Sequence, residues 1–101
     1  MSDEVIVVKL DHRLVDLAPK FLAHCGRTAH EIRAAAESDN FEVARRIGHS
    51  LIGAGGSYGF DEINLLGSEI ERAAHAGDRE ALRKLAERLE RYVARVRPVF
   101  D

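Results

Sequence analysis

Gly48-His49-Ser50-Leu51-Ile52-Gly53-Ala54-Gly55-Gly56-Ser57-Tyr58-Gly59-Phe60 holds five of the chain's eight glycines. A glycine inside a helix costs about 1 kcal/mol relative to alanine, so a segment shaped for stability alone would not be built this way. Two demands explain such a run: close packing of one helix on another, or close approach of a second molecule. The helical period weighs between them. Ala44, Ile47 and Leu51 form one apolar stripe, and His49 lies roughly 140–200° around the helix from it. His49 is therefore expected to face solvent. Arg45 and Arg46 precede it by four and three residues, and Ile52, Gly53 and Gly56 follow by three, four and seven. All five share its face. Gly53 and Gly56 then leave bare backbone beside an exposed imidazole, while Gly59, and with it Gly55, reads as the helix end before Phe60. Tyr58 and Phe60 are expected to anchor the turn from the core.

Outward from this segment the chain is helical by pattern. Asp39, followed by Glu42 three residues on, resembles a capping box that opens a helix at about Asn40. Ile63, Leu66, Ile70 and Ala73 form the next stripe, and Gly77-Asp78 supplies a stop and a fresh N-cap. Leu82, Leu85, Leu89, Tyr92, Val96 and Val99 then step by three and four, predicting a helix that runs nearly to the C-terminus. The intervening arginines alternate with acids and read as a salt-bridged face. Toward the N-terminus, Phe21, Cys25, Ile32 and Ala36 share a face of a helix over about 19–37, with Pro19 in its first turn. A shorter helix is expected over about 11–18. Residues 1–10 have a β-like composition and read as an extended arm or a frayed helical turn. The fold class expected is all-α: an antiparallel four-helix bundle with a short extra N-terminal helix, one domain over residues 1–101.

Bulk properties exclude several classes of function. The chain has 101 residues, Lys+Arg 15 against Asp+Glu 17, and a formal net charge of −2. A nucleic-acid binder would carry a dominant basic surface. The start Met1-Ser2-Asp3-Glu4 is acidic, and Val5 to Val8 is too short an apolar run for a signal peptide or membrane span. With Cys25 as the one cysteine, no internal disulfide can form. A soluble, cytoplasmic protein is expected, with no nucleic-acid and no membrane partner.

Competing chemistry is thin. His24 and His30 are six apart and fall on different helical faces, and no His-Glu-x-x-His occurs. No metal site and no cofactor are expected. Cys25 sits on the apolar stripe, so core packing accounts for it better than a thiol nucleophile beside His24. His75 is placed, by the order of the helices, where it can neighbour His49. An exposed imidazole is largely neutral at pH 7 and acts as a nucleophile without a general base. Phosphoryl transfer asks for little beyond positioning and positive charge around the equatorial oxygens, which Arg45 and Arg46 can supply in part.

The 48–60 segment, with Asp39-Asn40-Phe41 before it and Glu71-Arg72-Ala73-Ala74 and Gly77-Asp78 after it, resembles a histidine phosphotransfer (HPt) domain. The resemblance runs from about Leu14 to about Tyr92. It implies a helical bundle whose exposed histidine, here His49, carries a phosphoryl group on a ring nitrogen. The group is exchanged with the aspartate of a response-regulator receiver domain, and a hybrid sensor histidine kinase is a further partner. It implies clearance for the partner at Gly53 and Gly56, and an assisting Mg²⁺ held by the receiver rather than by this chain. The family usually has lysine where this chain has Ile52. Losing that charge-assisted contact is worth about 1.5–3 kcal/mol if ordered, and less if solvated. The resemblance therefore admits two expectations. One is a phosphoryl carrier that acts stoichiometrically, and the other is a docking or adaptor module with impaired transfer.

Overall fold

A computed structural model describes residues 4–101. The first three residues of the acidic start, and of the arm read over residues 1–10, lie outside the described residues. Four helices make up most of the chain: α1 (Ala18–Glu37), α2 (Phe41–Tyr58), α3 (Asp61–His75) and α4 (Arg79–Arg95). Two short strands, β1 (Ile6–Leu10) and β2 (Val96–Phe100), pair in parallel with Ile6 opposite Val96 and Leu10 opposite Phe100.

Each helix contributes its stripe to one helical-bundle core. Ile32, Ile63, Leu66, Ile70, Leu82 and Leu89 are fully buried, and Phe60 joins them from the α2–α3 turn. At about 1.5–3 kcal/mol for each large side chain removed from water, this cluster supplies the main driving force for folding. Phe21 of α1 stacks on Tyr58 with ring centroids 4.4 Å apart, and meets Phe60 at 5.8 Å. The start of α1 is thereby tied to the turn that follows the glycine-rich segment. Gly59 makes that turn with φ +84°, and its N–H returns to the Gly55 and Gly56 carbonyls. Gly77 (φ +66°) ends α3 in the same left-handed region, and the Asp78 carboxylate caps α4 by accepting from the Ala81 N–H at 3.0 Å. Ion pairs lace the α4 surface, among them Arg33–Glu90, Arg83–Glu37 and Arg91–Glu87.

Four local expectations are corrected. The short helix over 11–18 is a single 3-10 turn, His12–Leu14, which packs on the core only through the half-buried Leu14, while Val15, Asp16 and Leu17 after it are exposed. Asp11 caps that turn from the Arg13 N–H, and the chain passes directly into α1. The C-terminal helix stops at Arg95 and does not run through Val99. Pro98 would clash with the carbonyl of Ala94 in a continued helix and drives Arg97 to extended backbone. Val96 keeps its place in the core at 2% exposure, but from a strand. The arm adopts the extended alternative over Ile6–Leu10, so the all-α frame carries a two-stranded parallel sheet. The Asp39–Glu42 capping box does not form. Asp39 takes φ +56° and bonds Arg79, Glu42 pairs with Arg45, and Asn40 stands at the N-cap of α2 without a side-chain bond.

Cys25 lies in the core at 0% exposure, and burial pushes its thiol up to about 12. The neutral thiol is inert under native conditions. We expect no reaction with a thiol reagent at pH 8 until denaturant unfolds the chain. Rapid native labelling, followed by absorbance, would contradict this packing.

Candidate functional site

Helix α2 presents two faces with different uses of glycine. On the inner face Ala44, Gly48, Leu51 and Gly55 are buried at steps of four, three and four. A Cβ on Gly48 would stand 2.6 Å from the Glu71 nitrogen, and one on Gly55 would stand 2.6 Å from the Asn64 nitrogen. Gly67 of α3 answers them, its Cβ position lying 2.7 Å from the Gly48 carbonyl oxygen. These three glycines let the backbones of α2 and α3 touch, a closeness no larger residue allows. Gly55 is thus a packing residue as well as part of the last turn of α2, where its carbonyl accepts from Gly59 and Phe60, and Ile47 is only half-buried. The signal was present in the sequence as a small-residue continuation of the Ala44–Leu51 stripe.

On the outer face, Gly53 and Gly56 have nothing within 4 Å of a Cβ position. His49 shares this face, with its side chain 74% exposed. Its Nδ1 lies 3.1 Å from Oε2 of Glu71, which reaches across from α3. A carboxylate can only accept, so Nδ1 carries the proton and donates. With the proton on Nδ1, an uncharged imidazole has its free lone pair on Nε2. Glu71 was not singled out from the sequence, because only the backbone contact of Gly48 with Glu71 brings the two residues together.

The cations divide into two kinds. Arg45 is held by Glu42, through Nε at 3.0 Å and a second guanidinium nitrogen at 2.5 Å. That pairing holds the Glu42 carboxyl below its ordinary range and raises the Arg45 guanidinium. Arg46 is exposed and makes no ion pair within 4 Å among the described residues. Arg45 also lines a shallow cleft beside the histidine with Ser68, Glu71, Arg72 and His75. His75 is therefore in the neighbourhood of Glu71, and Arg72 adds a second cation to the cleft. Ile52 is half-buried on the His49 face and contributes no charge. Among the described residues no group of three or more His, Cys, Asp or Glu side chains is placed to hold a metal ion. No helix among them is long and apolar enough to cross a membrane.

The arrangement offers an accessible imidazole, oriented by a carboxylate and bordered by bare backbone. No curated protein and no solved structure matches the chain. The Hpt domain model matches it over residues 16–98, from the turn before α1 into β2. A match over that span takes in all four helices and the His49 face, and the chain belongs to the Hpt domain family.

Proposed function

We propose that this chain carries a phosphoryl group on Nε2 of His49 and exchanges it with the aspartate of a receiver domain, with its four helices in antiparallel order. The observation that supports this most is the exposed His49 ring with Nδ1 engaged by Glu71. In the forward step the Nε2 lone pair forms the N–P bond as the acyl-phosphate P–O bond of the receiver breaks. The aspartate carboxylate leaves with the electron pair. The phosphorylated ring, still protonated at Nδ1, is cationic, and the Glu71 carboxylate stabilises that charge. Return of the group to a receiver reverses these steps, and Mg²⁺ is expected on the receiver. A hybrid sensor kinase is the other partner in keeping with the family.

Gly53 and Gly56 give the receiver room to bring its phosphoaspartate to Nε2. Arg46 and Arg72 make no ion pair among the described residues and are available to the transferring oxygens, whereas Arg45 must first leave Glu42. The half-buried Ile52 favours a second reading, a docking module with slow transfer, because it puts an apolar side chain where the family has lysine.

Incubation with a panel of phosphorylated receiver domains, followed by intact-mass analysis, tests the first reading. The expected result is a gain of one phosphoryl group that is lost in acid. Receiver binding without any transfer would favour the docking module. Ile52→Lys is expected to speed transfer by up to about tenfold, the rate equivalent of about 1.4 kcal/mol in transition-state stabilisation. Rapid-quench kinetics would show this, and an unchanged rate would mean that the arginines already suffice.

A further inference from the structure

We infer that the outer edge of β1 is a dimerisation edge, to which a second copy of this chain adds its own β1 antiparallel. The two edges of the sheet differ. In the parallel register the Asp101 N–H bonds the Leu10 carbonyl at 3.3 Å. Alternate residues of a strand direct their N–H and C=O to opposite edges. The even-numbered residues of β1 and the odd-numbered residues of β2 therefore make the ladder. Residues 96, 98 and 100 turn their backbone groups to the outer edge of β2. There Pro98 has no N–H to offer, and the Arg97 guanidinium donates to the Val96 carbonyl at 2.9 Å. Both devices close an edge against further strands.

The edge of β1 has neither a proline nor a capped carbonyl, and Lys9 is the one charged residue on it. Val7 and Lys9, with Val5 just before the strand, direct their backbone groups outward, and no hydrogen bond reaches these groups from the described residues. Their side chains lie on the solvent face, with Val7 66% exposed. An exposed aliphatic edge of this kind pairs readily with another strand.

Self-complementarity selects a second copy as the occupant. Antiparallel pairing about a two-fold axis at Val7 sets Val7 against Val7 and Val5 against Lys9. Each of the three residues then exchanges a pair of hydrogen bonds with its opposite, and no like charges meet. The face parity also holds, because Ile6 of one copy meets Val8 of the other on the core side. Ile6 and Val8 line a groove with Tyr92, and its charged lining residues are Asp61 and Glu62 with Arg88, Arg91 and Arg95. No residue of β2 lines that groove, so it lies on the free-edge side of β1. A second copy sets its own Ile6 and Val8 beside those of the first, and the mixed charges of the groove's lining suit a like partner.

Light scattering on the purified chain over a range of concentrations tests this. The expected result is a concentration-dependent rise to twice the mass of one chain. Val7→Pro removes an N–H that the β1–β2 ladder does not use, so it should keep the helical circular dichroism and yield monomer. Val7→Lys and Val7→Glu should each be monomeric alone and should form a dimer when mixed in equal amounts. A wild-type chain that stays monomeric throughout would overturn the inference, leaving the edge to a strand of another protein. So would a dimer that survives both charged substitutions. None of these readouts depends on phosphotransfer at His49.

Discussion

Replacing His49 with glutamine is expected to abolish phosphoryl labelling outright while the melting temperature moves by less than about 3 °C. The two halves of that result have separate causes. Glutamine has no ring nitrogen to form the N–P bond, so no slower route through this residue survives. The side chain is 74% exposed, and exposed substitutions away from caps and cavities cost within about 0.5 kcal/mol, which a chain of this size registers as a few degrees. Labelling that persisted in the variant would exclude His49 as the carrier. Glu71 should behave differently. Glu71→Ala frees Nδ1 from its acceptor, removing both the orientation of the ring and the counter-charge for its phosphorylated form. Transfer should slow several-fold without stopping. Glu71→Gln keeps an acceptor for the Nδ1 proton but not the charge, so it should recover part of the rate. Equal losses in the two variants would assign the effect to charge alone.

The largest stability effects are expected at glycines, and with opposite signs on the two faces of α2. Gly48→Ala and Gly67→Ala each drive a methyl group into backbone: 2.6 Å from the Glu71 nitrogen in the first case, 2.7 Å from the Gly48 carbonyl oxygen in the second. Neither neighbour is the end of a flexible side chain, so α2 and α3 must separate. A loss of about 3 kcal/mol is expected, at the upper end of overpacking costs. Separation also lengthens the reach from Glu71 to His49, so Gly48→Ala should slow transfer as well. Gly53→Ala and Gly56→Ala meet only open space. There the gain in helix propensity dominates, and each should raise stability by up to about 1 kcal/mol. Urea unfolding of the four variants would measure all of these changes. A destabilising Gly53→Ala would show that this position is packed and would remove the case for clearance.

Much of the helical frame was readable because its signals are local. Gly77-Asp78 ends one helix and caps the next through bonds that span only a few residues, and the stripes of α1, α3 and α4 as far as Tyr92 are periodic. The failures came where a second local signal or a distant partner overrode the period. At Val96 and Val99 the spacing continued the helical period, but the backbone restriction around Pro98 and a strand about ninety residues earlier in sequence overrode it. At Asp39 a capping pattern lost to Arg79, forty residues away.

By itself, the sequence determined that this is a mainly helical chain, that His49 lies opposite the core stripe of its helix, and that Gly53 and Gly56 share its face. Those properties follow from a period of 3.6 residues, which any window of the chain contains. Tertiary structure alone decided that Glu71 holds the Nδ1 of His49, that Gly48, Gly55 and Gly67 exist to let two backbones touch, and that both ends of the chain meet in a parallel sheet. Each of these depends on which surfaces of distant segments come within a few ångströms, and no local period encodes that.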